Sequence, residues 1–205
     1  MNKLLANLAL KLQKEQGFAL KTILAANEMY IRFYALFLRR NIKVERIEIK
    51  FSANHLELVM RRLDASDIPR LEYFFKHSIN TKSAAFIMPH RTDRVSLQYL
   101  FGKTSHIPMG IFCGDALVGY ALIRLLFPDR ASYSIFVADN WQGKGIGTAA
   151  LEMQLGLIKD LKFKPYSAVC KNNARSIGML KKLNIEFTQD LGDCFEVKDM
   201  GCRRR

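Results

Sequence analysis

The sequence predicts a mixed α/β fold that is built on one sheet and preceded by a helical extension. Three observations support this prediction. Residues 2–40 have helical periodicity, strand-like segments dominate from there to residue 138, and strands alternate with helices afterwards. Because β-α alternation begins only in the last third, we expect a mixed sheet and not an all-parallel one.

The first 40 residues read as two helices with a break at Gly17. The second helix is apolar around most of its circumference and ends at Arg39-Arg40. We expect it to pack against the rest of the protein or a second subunit, and a basic amphipathic anchor on an anionic membrane is the alternative. The residues that follow the helical period are Leu20, Ile23, Leu24, Ile31, Tyr34 and Leu38.

Two strands and a capped helix follow the extension. The alternating segment at 47–51 predicts the first strand, and residues 58–60 predict the second. A helix then begins near Ser66 or Asp67, either of which can cap it, with Pro69 in its first turn.

The remaining elements form a hairpin and then a β-α series. Two apolar runs flank Cys113-Gly114-Asp115, which is a hairpin signal. The predicted elements are strands at 107–112, 116–127 and 132–138, a helix at 145–161, a strand at 166–170, a helix at 173–184 that Asn173 caps, and a terminal hairpin.

Composition limits the class of protein. The chain has 205 residues and a net charge of +13, which favours an anionic partner. The four cysteines form no CxxC pair and no histidine lies at metal-ligand spacing from them, so we expect no metal and a reducing compartment. Without a signal peptide or a membrane-spanning run, we expect a cytoplasmic protein, peripheral to the membrane if the extension binds lipid. Nucleic acid is not an expected partner.

The segment Val137–Gly147 places three glycines within five residues, between a strand and a long helix. Glycines let the backbone approach a ligand closely, and the free N–H groups of the helix start point at an anion. Lys144 adds a charged donor. The spacing is not that of a Walker loop, and Thr148 stands where a dinucleotide fingerprint has glycine. The segment therefore predicts a phosphate site of another kind, while a purely structural turn is the alternative for the glycines alone.

Two segments together resemble the GNAT superfamily of acyl-CoA-dependent N-acyltransferases. The glycine segment matches its Q/R-x-x-G-x-G/A motif at Gln142, Gly145 and Gly147. The resemblance covers about residues 56–200, which leaves 1–55 as a helical extension and 201–205 as a basic tail. The later segment is similar to the family's N-x-x-S/A-x-x-L-Y-x-K-L-G-F helix through Asn173, Ser176, Leu180, Lys182 and Leu183.

The resemblance implies a mostly antiparallel sheet with a splayed central strand pair, and acetyl-CoA or another acyl-CoA as co-substrate without a metal. In the family the glycine segment holds the pyrophosphate, and the pantetheine arm pairs with the preceding strand like an added strand. The residues that the resemblance assigns to the coenzyme are Phe136, Val137, Ala138, Gln142, Gly143, Lys144, Gly145, Ile146, Gly147, Thr148, Asn173 and Ser176.

The family's proton-handling residues are not matched. Ser132 stands where many relatives have Glu, Leu180 where many have Tyr, and Asn184-Ile185 where the family has Gly-Phe. An amine with a pKa near ~10.4 must lose a proton before it attacks. Either the acceptor amine has a low pKa, or another group is the base, or the protein binds acyl-CoA without turnover. The catalytic residues are thus unknown, with Tyr133, Tyr120 and Asp129 as weak candidates.

We therefore expect an enzyme that transfers an acetyl or other acyl group from coenzyme A to an amine, on a small molecule or a protein, by direct attack. A non-catalytic acyl-CoA sensor, dimeric through its extension, is the alternative. A membrane-surface protein that modifies a lipid or cell-envelope precursor is the third. The spacing of the four histidines predicts no catalytic or metal site, and we expect Cys170 and Trp141 to be packing residues.

Overall fold

The structure is a computed structural model that describes residues 18–38, 47–79 and 90–198. The first predicted helix, the break at Gly17 and the basic tail lie outside these residues. Within them, no helix is both long enough and apolar enough to cross a bilayer.

The strands form one sheet in the order β1-β2-β3-β4-β5-β6-β8-β7, which confirms the mixed, mostly antiparallel architecture. Among the described strands only β5 and β6 are parallel neighbours. Because β1 belongs to this sheet, the predicted extension of residues 1–55 shares its last strand with it. The strands are β1 (Glu48–Ala53), β2 (Leu56–Arg62), β3 (His106–Cys113), β4 (Ala116–Leu126), β5 (Arg130–Val137), β6 (Lys164–Cys170), β7 (Glu186–Asp190) and β8 (Cys194–Lys198).

The described helices cover both faces of the sheet. Side chains of α1, α4 and α5 join the larger apolar core on one side, which we call the α4 face. Those of α2 and α3 join a smaller core on the other side, which we call the α2 face. The helices are α1 (Phe18–Leu38), α2 (Ile68–His77), α3 (Arg94–Phe101), α4 (Ile146–Asp160) and α5 (Ala174–Lys182). Of these, α3 was not predicted from the sequence.

The helix α1 docks on the end of the sheet that carries the β4–β5 turn. Asn27 forms two hydrogen bonds to the backbone there. Its Nδ2 donates to the Leu125 carbonyl (3.1 Å), and its Oδ1 accepts from the Phe127 N–H (2.8 Å). The Tyr30 hydroxyl donates to the Pro128 carbonyl (3.0 Å). The helix is therefore attached through specific hydrogen bonds as well as through apolar contact.

A buried carboxylate makes the strongest of these attachments. Glu28 accepts from the backbone N–H of Thr104 (2.6 Å) and of Ser105 (3.1 Å), from the Ser105 hydroxyl, and from Arg32 Nε (3.3 Å). Burial alone would raise the pKa of Glu28, but these hydrogen bonds outweigh burial and hold its pKa below the usual value. Glu28 is therefore ionised at neutral pH and attaches α1 to Ser105, the residue just before β3.

The apolar residues of α1 divide into a buried and an exposed set. Ile31 is fully buried and Tyr34 packs edge-on against Phe163, as expected for packing against the protein. Ile23 and Leu24 stay 50% exposed, and three further apolar side chains are more than 60% exposed: Met29, Phe33 and Leu36. A dimer or membrane contact of this exposed set stays a prediction.

Candidate active site

The strands β5 and β6 separate along part of their length. They pair at only three positions, the last of which is Ser132 with Tyr166. Beyond it the Ser167 hydroxyl still reaches the Tyr133 carbonyl (3.2 Å), while β5 stays paired with β4 as far as Val137. We call the space between β5 residues 133–137 and β6 residues 167–170 the gap, and the Ser132–Tyr166 pair its vertex.

The backbone groups of β5 point alternately to β4 and to the gap. The Ala138 N–H donates to the Val118 carbonyl (2.9 Å), and a Cβ on Gly119 would lie 2.7 Å from the Phe136 carbonyl, so both groups face β4. Alternation along the strand then turns the backbone of Val137 and of Ile135 toward the gap. Of the three predicted strand residues, Val137 thus has the orientation that an added strand needs, and Ile135 joins it.

The glycine segment follows a short 3-10 turn and opens α4. Gly143 (φ 78°) and Gly145 (φ 77°) adopt left-handed backbone that other residues take up only with strain. Gly145 is the N-cap, and the first bond of the helix runs from the Ala149 N–H to the Gly145 carbonyl (3.1 Å). The N–H groups of the first three helical residues, Ile146, Gly147 and Thr148, precede that bond and remain available to an anion at the helix start.

Gln142 ties this segment to its neighbours. Its Nε2 donates to the Val137 carbonyl (2.8 Å) and to Asp139 (3.0 Å), and its Oε1 accepts from Arg175 at the start of α5. The Gln142 side chain, which was predicted to contact the coenzyme, therefore forms hydrogen bonds that stabilise the turn. Arg175 was missed by sequence reasoning, although it lies between Asn173 and Ser176, the first two residues of the family motif.

The other residues predicted to contact the coenzyme differ in how far their side chains are exposed. Ile146 is 1% exposed, so its side chain belongs to the core, whereas Lys144 is exposed with its Nζ over the Trp141 ring (4.5 Å). Asn173 caps α5 by accepting from the Ser176 N–H (3.1 Å), as predicted from the sequence. A Cβ on Gly145 would meet nothing closer than Asn54 of the β1–β2 hairpin at 3.9 Å, so the space in front of the turn is open on the protein side.

A row of polar side chains crosses the sheet at the vertex. Register places His106 beside Arg124, Arg124 beside Ser132, and Ser132 beside Tyr166. Chain neighbours of the first three pack on the α4 face, so these three point to the α2 face, and Tyr166 shares that face because it pairs in register with Ser132. Arg124 Nε donates to the Ser132 hydroxyl (3.2 Å). No sequence motif signalled this row, because it joins four strands.

Burial and the charge of Arg124 act on the histidines at and near this row. Burial lowers the pKa of Arg124 itself. Burial, and then the positive charge of Arg124, lower the pKa of His106 to about 4, so this imidazole is neutral at pH 7. The same charge acts on His90, whose pKa burial already lowers.

Tyr166 closes the row on the β6 side. Burial, followed by the negative charge of Glu196, raises the pKa of its hydroxyl. Glu196 is itself buried and accepts from the Thr188 hydroxyl (3.2 Å), while the Arg130 guanidinium lies 5.4 Å from the Tyr166 ring. Tyr166 therefore stays protonated at pH 7 and can donate a proton or a hydrogen bond.

The two tyrosines named as weak candidates lie on opposite faces. Tyr120 is 3% exposed on the α2 face, and its hydroxyl contacts His90 Nε2 (2.9 Å), while His90 Nδ1 contacts the Arg91 carbonyl (2.8 Å). Because a carbonyl only accepts, Nδ1 carries the proton and the Tyr120 hydroxyl donates to Nε2. Burial raises the pKa of Tyr120. Tyr133 points to the α4 face, so the two hydroxyls do not meet at one reacting atom.

A cavity of about 270 Å³ lies beside the outer end of the gap on the α2 face. It is open between the end of α2 and the 3-10 turn before the glycines. Its walls come from His77, Ser78, Ile79, Leu117, Ala138, Asp139, Asn140 and Trp141. In the described part of the chain, no three His, Cys, Asp or Glu residues gather closely enough to hold a metal ion.

The sequence model of the acetyltransferase (GNAT) family matches residues 71–185, more than half of the chain. The chain belongs to the GNAT family. Acyl transfer from coenzyme A is the activity of that family. No curated protein sequence matches the chain.

Solved GNAT structures share the fold. The GNAT domain of S. lividans PAT has a TM-score of 0.66 at 14% identity over 74% of this chain and 96% of its own. Mycobacterium smegmatis RimJ, solved in complex with CoA-disulfide, has a TM-score of 0.60 at 15% identity over 73% and 85%. The ribosomal-protein-S5-alanine acetyltransferase of Vibrio fischeri has a TM-score of 0.60 at 14% identity over 77% and 100%. At such identities the likeness shows the fold alone.

Proposed function

We propose that this GNAT protein transfers an acetyl or related acyl group from coenzyme A to an amine by direct attack. The observation that carries the proposal is the gap, which has an anion-ready helix start at its outer end and a polar row at its vertex. A donor that spans the two ends would have its phosphates on the turn and its thioester among the polar side chains.

The turn supplies the phosphate contacts. The N–H groups of Ile146, Gly147 and Thr148 and the positive end of the α4 dipole favour a negative charge at this point. Lys144 and Arg175 are exposed on either side and add charge-assisted donors. Gln142 contributes by holding the turn, the strand and α5 in register.

The arm of the donor lies along β5 in this proposal. Val137 and Ile135 offer backbone groups to the gap, so an extended amide-containing arm gains the hydrogen bonds of an added strand. The Val137 carbonyl already accepts from Gln142, which leaves the Val137 N–H and the Ile135 backbone for the arm.

The vertex then has to provide a neutral amine and a protonated leaving group. A cation beside a bound ammonium disfavours the charged form, so Arg124 lowers the pKa of the acceptor amine in the same way as it lowers that of His106. The amine nitrogen attacks the thioester carbon, the C–S bond breaks, and Tyr166 protonates the departing thiolate. The proton released by the amine restores Tyr166. This arrangement replaces the missing Glu at position 132 and the missing Tyr at position 180.

The deciding experiment measures binding and turnover separately. Acetyl-CoA at about 100 times its Kd should stabilise the fold by ~2.7 kcal/mol, and thiol release should appear with at least one member of a panel of amines. No thermal shift with acetyl-CoA, CoA or longer acyl-CoAs would contradict the coenzyme site. A thermal shift without thiol release from any amine would favour the acyl-CoA sensor.

A further inference from the structure

Two cysteines face each other across β6 and β8. Cys170 pairs with Cys194 in the register, and their Sγ atoms are 3.3 Å apart. The next position is bonded through the Lys171 N–H and the Asp193 carbonyl (2.9 Å), so the cysteines occupy a rung without backbone hydrogen bonds. On such rungs the Cα atoms lie about 4.5 Å apart, which is within the range of a disulfide (about 4.4–6.8 Å). A small side-chain rotation is enough to bring the sulfurs to bonding distance.

The two thiols are not equivalent. Cys170 is exposed at the end of β6, whereas Cys194 is only partly exposed. The Cys194 S–H donates to the Cys170 sulfur. Burial, then this hydrogen bond and the charge of Cys170, raise the pKa of Cys194 to about 11. Access and hydrogen bonding both make Cys170 the thiol that reacts first.

We propose that Cys170 and Cys194 form a modification site that reacts with low-molecular-weight disulfides and closes reversibly to an intramolecular disulfide. The site is independent of the proposed acyl transfer. It is compatible with a reducing compartment, because exposed disulfides of this kind open again when the thiol pool recovers.

The exchange takes place in two balanced steps. The Cys170 thiolate attacks one sulfur of the small disulfide, the S–S bond of that reagent breaks, and one small thiolate leaves. Cys194 then loses its proton and attacks the Cys170 sulfur of the mixed disulfide, and the second small thiolate leaves. Capping converts the Cys170 thiolate to a neutral disulfide sulfur and so removes one of the causes that raise the pKa of Cys194, which favours the second step.

The closed bond would fix the part of the molecule that borders the gap. Cys170 ends the β6 wall, and its carbonyl accepts from the N–H of Asn173, the cap of α5 (2.9 Å). A link to β8 therefore holds both the wall and the start of α5. Because it closes a chain loop, we expect the oxidised protein to have a Tm higher by roughly 5 to 10 °C.

The test treats the full reduced chain with millimolar glutathione disulfide and follows intact mass and peptide maps. The parent should lose two hydrogens, retain no glutathione, show a Cys170–Cys194 peptide and revert with dithiothreitol. Cys194→Ser should keep one glutathione on Cys170, and Cys170→Ser should react much more slowly. Cys113→Ser and Cys202→Ser are matched controls that should behave like the parent.

Three results would overturn the proposal. One is a parent that accumulates the glutathione adduct as fully as Cys194→Ser. Another is a disulfide that maps to Cys113 or Cys202, and the last is the absence of any reaction. Thermal melts of each reduced variant confirm that it is folded, so a failure to react is not a failure to fold.

Discussion

The chain just before β3 and the start of α4 both present backbone N–H groups that no helix or strand uses, and these groups are satisfied differently. At Thr104 and Ser105 the chain provides its own acceptor, the carboxylate of Glu28. At the start of α4 the N–H groups of residues 146–148 have no acceptor within the helix, and the exposed side chains of Lys144 and Arg175 belong to the same region. The first arrangement stabilises the fold, and the second leaves binding energy for a ligand. The comparison predicts that stability and coenzyme binding can be lost separately.

The largest effect is expected at the glycine turn. Gly145→Val should weaken acetyl-CoA binding roughly a thousandfold, because a branched side chain fills the space in front of the N–H groups and the left-handed backbone disfavours it. Isothermal titration measures the loss. Gly192→Val is the matched control, since Gly192 has a similar φ (87°) in the β7–β8 turn with open space around its Cβ. If the two variants bind acetyl-CoA with equal affinity, the glycine turn does not bind the phosphates of the coenzyme.

The second largest effect is expected at Glu28, the acceptor of the Thr104 and Ser105 N–H groups. Glu28→Ala should lower the free energy of unfolding by about 3 kcal/mol, since it leaves the N–H and the hydroxyl of buried Ser105 without their acceptor and also removes the acceptor of the Thr104 N–H. Chemical denaturation measures this loss, and acetyl-CoA affinity of the folded fraction should not change. Glu57→Ala, on an exposed position of β2, serves as the control. A parallel loss of affinity would show that the two ends are coupled.

At the vertex we expect a loss of turnover and not a loss of coenzyme binding. Tyr166→Phe should lower kcat about a hundredfold, the lower end of general acid catalysis, with an unchanged KM for acetyl-CoA. The control is Tyr133→Phe, whose ring faces the other side of the sheet. If both variants keep full kcat, the leaving thiolate takes its proton elsewhere.

Arg124 should have a smaller effect, visible as a shift in pH dependence. Removal of the cation in Arg124→Gln raises the pKa of the bound amine, so the acid limb of the kcat profile should move up by about one pH unit, or about tenfold at pH 7. Arg124→Lys keeps the charge and should restore the limb. An unshifted limb in the Gln variant would argue for a separate base.

The smallest effect is the acid sensitivity that Glu28 provides. Its pKa is lowered on folding, so its contribution is complete above the usual value of 4.5 and is lost as the pH falls below it. The stability difference between the parent and Glu28→Gln should therefore narrow below about pH 4.5. A difference that stays constant down to pH 3 would mean that folding does not lower the pKa of this carboxyl group.

Local sequence patterns predicted the features that a few neighbouring residues determine. The glycine turn, the Asn173 cap and the terminal hairpin depend on short spacings, and the structure has all three. The cap of α2 could not be predicted as simply. Asp67 holds the N-cap position of α2, but its carboxylate makes no capping bond to this helix. It binds Arg61 (2.8 and 2.7 Å) and accepts from the Asp64 N–H (3.1 Å), which completes a capping box of the preceding 3-10 turn.

Features that depend on register could not be read from the sequence. The row at the vertex takes one residue from each of four strands, spread from His106 to Tyr166, and only the pairing brings them together. Glu28 meets its partners across 76 residues of chain. The direction of backbone groups along β5 likewise follows from its pairing with β4, which is why Ile135 was missed beside Val137.

The attachment of α1 also bears on how this protein can be recombined with others. The segment that the family model matches begins at residue 71, yet Thr104 and Ser105 inside that segment find their acceptor on α1. Transplanting the matched segment alone would separate donors from acceptor. Any new N-terminus would have to bring a carboxylate to the same point, so the unit that can be inherited or exchanged as a whole includes α1.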